Sequence, residues 1–315
     1  MHWYVGIDEA GYGSSLGPFV MAFTAVGFES KPPISEYWSM LSDWVFDHKK
    51  KVADSMKKLG IGDSKQISRL TNGLQMLGAP WRTLFHQNLP AKINVSDFLE
   101  SIHCINRDHL KSEPWWNNTK VISLDKIIVS DSDEDIVKPL FYAGIFVLGV
   151  NHFNTICEIH GSKGAVTSTG WINIVKFFSN QIRDGDRVEI FTDQHGGRNR
   201  YSPLIEKAFD QVVLTCPVRE NNIESRYRPI GTSYELEIIF APKAESASPL
   251  VAMASMMAKH LREESMNIFN EFWVNFSDEL RPTAGYPNDA KRFVSEINHL
   301  LIKLNIPLSS ILRIK

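Results

Sequence analysis

The sequence predicts an α/β protein, and three observations carry that expectation. Aromatic and β-branched runs at Met1–Val5, Phe19–Val26 and Val188–Asp193 read as strands. Stretches such as Trp171–Ile182 and Leu250–Leu261 read as helices, the second placing Leu250, Met253, Ala254, Met257 and Leu261 on one face. The strand ending at Asp193 is followed closely by Gly196-Gly197, and a carboxylate at a strand's C-terminal end is a usual place for a site in such a sheet.

Each element follows in order. Alternation puts Trp3, Val5 and Ile7 on one face of the first strand, and Tyr4, Gly6 and Asp8 on the other. The glycines up to Gly17-Pro18 make a tight connection to the second strand, and Lys31-Pro32-Pro33 breaks the chain after it. Ile34 to Lys58 reads as helical, Gly60–Lys65 as a loop, and Ser64-Lys65 as the opening of a helical stretch toward Leu77. Trp81 to Leu89 has strand character. Ser96 to Lys111 reads as a helix with Ser96 as its N-cap. Val121–Leu124 and Ile127–Val129 are short strand-like runs, and Asp131–Asp135 is an acidic cluster suited to a helix N-terminus. Leu140 to Ile159 is apolar and reads as helical. Ser202–Asp210 is a short helix, Val212–Cys216 a strand, and Tyr227–Ile230 with Tyr234–Phe240 a hairpin around Gly231-Thr232. Ser248-Pro249 is an N-cap followed by proline at the first helical position. Small residues Ala252, Ser255 and Ala258 on that helix allow another backbone to approach closely, and a last helix runs to about Lys303.

Composition narrows the function classes. The 315 residues are 43% hydrophobic and 22% charged, as in an ordinary globular protein. A net charge of −2 gives no global basic field, so a nucleic-acid partner would need a local basic groove. Cys104, Cys157 and Cys216 are few and widely spaced, which argues against structural zinc and a disulfide framework. Acidic residues at positions 8 and 9 argue against a secretory signal, and the longest apolar run, Phe19–Phe28, is too short to span a bilayer. The expectation is a cytoplasmic protein with no membrane partner.

The chemistry concentrates in Gly6-Ile7-Asp8-Glu9-Ala10-Gly11-Tyr12-Gly13. Two adjacent carboxylates at the end of a core strand repel and lose hydration, so they need a cation or a shared proton; a divalent metal is the simplest resident, and a solvated turn is the plainer reading. Three rival motifs fail on context. Gly11-Tyr12-Gly13 begins a dinucleotide fingerprint, but Leu16 stands at its last glycine and a strand follows where a helix is required. A phosphate-binding loop would end in Gly-Lys-Ser/Thr, whereas Gly17 precedes Pro18. Gly13-Ser14-Ser15-Leu16-Gly17 matches a nucleophile elbow in letters, but Pro18 and an apolar strand follow where a helix is required, which leaves a serine hydrolase as a minor alternative.

Four features thus occur in order: Asp8-Glu9-Ala10-Gly11, Asp63-Ser64-Lys65, strand-terminal Asp193, and Lys243-Ala244-Glu245 leading to Ala254-Ser255-Met256-Met257-Ala258-Lys259. That series resembles ribonuclease HII and ribonuclease HIII, the type 2 ribonucleases H. The family pattern runs Asp-Glu-Ala-Gly-Arg-Gly with Gly-Pro after it, Asp-Ser-Lys-x-Leu, a strand ending in Asp, Lys-Gly-Asp, Ala-Ala-Ala-Ser-Ile-Leu-Ala-Lys and Gly-Tyr-Gly-Thr. Gly285-Tyr286-Pro287 stands at the last of these. The resemblance implies an RNase H-like mixed, twisted sheet flanked by helices: one catalytic domain over residues 1–315, with an enlarged insertion between about 66 and 185 and a helical extension from about 265.

By position it also implies four catalytic, metal-binding carboxylates, Asp8, Glu9, Asp193 and Glu245. A glutamate at the fourth place is similar to the ribonuclease HIII pattern. Four carboxylates uncompensated by lysine in their motifs ask for Mg²⁺ or Mn²⁺, and two such ions about 3.5–4 Å apart would serve phosphodiester hydrolysis. Asp8 would bridge both ions, Glu9 and Asp193 would each hold one, and Glu245 would hold the ion carrying the attacking water. Implied substrate-binding residues are Gly11, Tyr12, Gly13, Ser64, Lys65, Lys243, Ser255, Lys259 and Tyr286, with Arg198 and Arg200 as further basic contacts. Two departures stand out. Tyr12 replaces the family's Arg or Lys, which contributes to reading a ribose 2′-hydroxyl, and His195 follows Asp193-Gln194, either as a proton shuttle or as a solvent-facing loop residue. The expected function is a metal-dependent endonuclease cutting RNA in RNA/DNA hybrids. The alternatives are a nuclease of the same fold with another nucleic-acid substrate, and a non-catalytic nucleic-acid-binding or scaffold relative.

Overall fold

The computed structural model describes residues 1–31, 36–49, 58–116, 120–127 and 139–314. Pro32-Pro33, most of Ile127–Val129 and the acidic cluster Asp131–Asp135 lie outside the described residues, as does part of the stretch from Ile34 to Lys58.

A mixed sheet organises the chain. Its strands, labelled in chain order, are β1 His2–Ala10, β2 Phe19–Phe28, β3 Cys104–Ile105, β4 Leu140–Leu148, β5 Arg187–Asp193, β6 Leu214–Glu220, β7 Ser225–Ile230 and β8 Glu235–Ala241. The spatial order is β6-β7-β8-β5-β1-β2-β4-β3. β1, β2 and β4 are antiparallel neighbours, while β5 lies parallel to both β1 and β8. The helices that flank the sheet are α1 Val150–His160, α2 Gly164–Ser179, α3 Ser202–Ala208, α4 Pro249–Val274 and α5 Pro287–Lys303. This is the mixed α/β sheet flanked by helices expected from the sequence.

The two faces of β1 pack as the alternation predicts. Trp3, Val5 and Ile7 are buried together with Trp171 and Phe178 of α2, and Trp3 meets Phe178 edge-on at 5.5 Å. The other face carries Gly6, where an added Cβ would collide with the backbone of Leu250 and Val251, so α4 lies directly on the strand. Thr24 of β2 ties the same place by donating to the Leu250 carbonyl at 2.7 Å. Small residues at Ala252, Ser255 and Ala258, all buried, make that approach possible. Beyond α4, residues such as Trp81, Phe98 and Trp115 build a further apolar layer with Met257, Leu261 and Phe269.

Several sequence expectations change. Leu140–Ile159 is not one helix; it is β4, a break at Gly149, then α1. β4 is buried on both faces over Ala143–Leu148, so it lacks the alternation that marks a half-buried strand. Trp81–Phe85 is a π-helical turn continuing the helix Gly73–Pro80, with Trp81 and Leu84 turned inward, rather than a strand. Within Ile34 to Lys58, the described parts are a one-turn helix, Tyr37–Met40, and a short strand, Val45–Asp47, paired with Leu59–Ile61. The stretch opened by Ser64-Lys65 splits into Ser64–Ile67 and Gly73–Pro80. The helix expected over Ser96–Lys111 is Val95–Ser101, capped by Asn94, which accepts from the Asp97 amide at 2.9 Å; left-handed His103 follows its end. Ser248 occupies the N-cap of α4, but its hydroxyl makes no capping bond. The stretch between 66 and 185 includes β3 and β4 of the main sheet, and residue 265 lies within α4.

No helix among the described residues is long and apolar enough to cross a membrane.

Candidate metal centre

Register builds the site. In the parallel pair β1–β5, Gly6 faces Phe191 and Ile7 faces Thr192, so one step further sets Asp8 beside Asp193. Both residues sit at the C-terminal ends of central strands and, by alternation, on the face covered by α4. Asp8 and Glu9 therefore belong to β1 itself, not to a solvated turn.

Asp193 pairs in register with Ala241 at the end of β8. There the chain turns through Lys243, which adopts a left-handed conformation at φ 56°, into the short helix Ala244–Ala247 bearing Glu245. The Ala244 amide donates to Asp193 Oδ1 at 3.1 Å, fixing that turn to the strand end. From α4, Ser255 hydrogen-bonds to Asp8, and its hydroxyl lies 3.0 Å from that of Ser64. Asp63 caps the Ser64–Ile67 helix by accepting from the Lys65 amide at 2.8 Å.

Their charges act on one another. Burial pushes Asp8 well above the ordinary carboxylate range, and Glu9 and Asp193 add repulsion. Glu9 is raised to about 7 by burial and by Asp193. Asp193 is raised by burial, against hydrogen bonds from the Ala244, Gln194 and Lys243 amides. Glu245 is raised by burial, then by Asp193 and Asp63. None of the four makes an ion pair among the described residues. Lys65 is the correction to an uncompensated cluster: though exposed, its charge favours the ionised forms of Glu9, Asp193 and Glu245.

Among the described residues, no group of three or more His, Cys, Asp or Glu side chains is already arranged to hold a metal ion. In kind, the residues fit a hard divalent cation: all four offer carboxylate oxygens and all four are held above their ordinary pKa by burial or by one another.

The glycine loop after β1 has its own framework. Gly11 is left-handed at φ 83°, and a Cβ there would stand 2.7 Å from the Pro18 carbonyl; Gly13 faces open space. The Ser15 and Leu16 amides donate to the Gly285 carbonyl at 2.8 and 3.1 Å, which brings exposed Tyr286 beside the loop. Two buried arginines that the sequence did not single out hold the loop from below. Arg262 of α4 donates to Ser14 Oγ at 3.0 Å and to the Ala284 carbonyl at 2.6 Å. Arg313 donates to the Gly17 carbonyl at 2.6 Å and also to the carbonyl of Gly11.

The other expected residues spread outward. Lys65 and Lys259 line a cavity of about 600 Å³ with Ser68, Arg69 and Tyr286, but Lys259 is paired with Glu263 at 3.2 Å. Arg198 turns back onto Ser168 Oγ at 3.1 Å, while Arg200 is exposed. Neither reading of His195 fits its placement. Both ring nitrogens are buried without a partner among the described residues, the ring packs edge-on against Tyr201 and Phe240, and burial pulls the pKa to about 3, which favours the neutral ring.

No protein-family model matches the chain, and no curated protein sequence matches it. Among solved structures it is similar to RNase HII in a PCNA complex from Archaeoglobus fulgidus, at 15% identity over 99% of this chain and 94% of that one, with a TM-score of 0.47. It is similar to ribonuclease H2 from Pyrococcus horikoshii, at 15% identity over 98% and 92% with a TM-score of 0.48. Bst-RNase HIII in complex with Mn²⁺ is similar at 14% identity over 99% of this chain and 66% of that one, with a TM-score of 0.44.

Proposed function

We propose that the protein is a divalent-metal-dependent endonuclease that hydrolyses the RNA strand of RNA/DNA hybrids. The observation that carries this reading is the gathering of Asp8, Glu9, Asp193 and Glu245 at the C-terminal strand ends, repelling one another with no ion pair among the described residues. In this reading the repulsion keeps the carboxylates apart until a cation offsets it. Asp8, Glu9, Asp193 and Glu245 would hold Mg²⁺ or Mn²⁺ through oxygen; such ions supply a nucleophilic water and stabilise the leaving 3′ oxygen of a phosphodiester.

The chain's own residues then bind and orient the substrate. Ser255, braced by Ser64, holds Asp8 in place. Lys65 and Lys259, with Tyr286, line the groove in which the backbone would lie, and Lys65 brings a positive charge to the carboxylates. Lys243 orients Asp193 through its main-chain amide rather than through its ammonium group. Gly11 and Gly13 offer main-chain groups to the sugar, and the open space at Gly13 leaves room for it.

Tyr12 favours a second reading, a nuclease of the same fold with another substrate, because its neutral phenol gives no charge beside a ribose phosphate. One assay separates the two. Labelled RNA/DNA hybrid, duplex with a single ribonucleotide, and all-DNA duplex are incubated side by side with Mg²⁺ or Mn²⁺. Cutting confined to ribose-containing strands is expected; equal cutting of DNA would support the second reading, and cutting of nothing would defeat both.

A further inference from the structure

We propose that Lys163 binds substrate, gripping a backbone phosphate of the nucleic acid beside the carboxylate pocket; this rests on the nuclease reading above. Lys163 is the N-cap residue of α2, but its side chain makes no capping bond. Instead its ammonium lies over the Tyr12 ring, 4.9 Å from the centroid. Tyr12 in turn feels the charge of Glu9 on the strand end. Lys163 therefore stands beside the glycine loop, with Tyr12 between it and Glu9.

Its surroundings call for an anion. The same ammonium is 5.9 Å from the Phe153 ring, and the Arg313 guanidinium lies 4.2 Å from that ring, so two cations share one aromatic neighbour. Arg313 is committed to carbonyls of the glycine loop, whereas Lys163 makes no ion pair among the described residues. Burial and Arg313 both press Lys163 toward its neutral form. A half-buried cation without a counter-ion is relieved by an incoming anion, as the carboxylates are relieved by an incoming cation. Once a cation has met the carboxylates, a phosphodiester strand can set one phosphate on that cation and a neighbouring one on Lys163. Tyr12 then acts as the shelf that aims the ammonium.

The test measures equilibrium binding of labelled RNA/DNA hybrid across a salt series, with Ca²⁺ replacing Mg²⁺ to suppress cleavage. Wild type, Lys163→Met, Lys163→Gln and Lys163→Arg are compared, each with its melting temperature. Removing one phosphate contact should flatten the slope of log K against log salt by about 0.7–0.9 and weaken binding several-fold. The loss should be similar on all-DNA duplex, since a phosphate contact reads no sugar, and Lys163→Arg should restore both slope and affinity. Unchanged slope and affinity in a folded Met or Gln variant would overturn the proposal while leaving the nuclease reading intact. So would an equal loss in Lys163→Arg, which would mark a packing role. If wild type binds no duplex at all, the nuclease reading falls and takes this one with it.

Discussion

The two ends of the same three strands, β1, β5 and β8, carry acidic side chains that are handled in opposite ways. At the N-terminal ends, Glu237 accepts from Arg226 at 2.6 Å and from Arg228 at 2.8 Å, and Glu235 pairs with Arg187 at 2.9 Å. Glu189 is raised by burial and by Glu237, but Arg226 and Lys31 pull it back. At the C-terminal ends, Asp8, Glu9, Asp193 and Glu245 make no ion pair among the described residues; hydrogen bonds from Ser255 and main-chain amides, and the charge of exposed Lys65, oppose their repulsion only in part. The paired end also lines a cavity of about 550 Å³, with Tyr4, Glu189, Arg228 and Glu237; it is close in size to the cavity of about 600 Å³ beside Lys65, so cavity size does not separate the two ends. In the proposed reading, acids that the fold neutralises are structural, and acids that it leaves repelling await a ligand.

The largest effect that would break this contrast is catalytic. Asp8→Asn and Asp193→Asn should each lower hybrid cleavage by about 10³-fold or more, since groups acting as a unit fail together. Both variants should melt no lower than wild type, because each removes a repelling charge. An active Asp8→Asn enzyme, in the same cleavage assay, would break the mechanism.

The next effect is on stability against pH. Glu9 has its folded pKa raised from the ordinary value to about 7. A raised pKa means that the folded state holds a proton the unfolded state has released, so the contribution is full below about pH 4.5 and is lost as pH rises through about 7. Metal-free protein should therefore lose melting temperature across that window, with Asp8, Asp193 and Glu245 adding in the same direction. Saturating Mn²⁺ should reverse the loss at pH 7, with about 2.7 kcal/mol of stabilisation at one hundred times Kd. A flat profile without metal would contradict the unpaired state of the cluster.

Smaller effects sharpen the contrast. Glu237→Gln should destabilise by roughly 1 kcal/mol in denaturant unfolding, since it removes the carboxylate shared by Arg226 and Arg228, of which Arg226 keeps Glu224. Glu245→Gln should not. Tyr12→Arg should improve discrimination for ribose modestly; unchanged preference in the three-duplex assay would place Tyr12 away from the 2′-hydroxyl.

Much of the fold could be read from patterning. β1 and β5 alternate or end in ways that mark a half-buried strand and its site end, and α4 shows its apolar face in the spacing of Leu250, Met253 and Met257. β4 could not be read so, because burial on both faces removes the period that separates strand from helix. The carboxylates were legible because each lies in a short motif. Arg262 and Arg313 were not, since the carbonyls and hydroxyl they hold in the glycine loop are about 250 and 300 residues away along the chain. Nothing local distinguishes a buried, loop-bracing arginine from a solvated one. His195 failed for the same reason: its burial comes from Tyr201 and Phe240, one of them on another strand.

The most direct measurement is a Mn²⁺ titration at pH 7, followed by electron paramagnetic resonance of the free ion, on wild type, Asp8→Asn and Glu237→Gln. Saturable binding by wild type and Glu237→Gln, with marked weakening in Asp8→Asn, is the expected result. Absence of saturable binding in wild type, or equal binding by all three proteins, would contradict the assignment of the unpaired carboxylates as a metal centre.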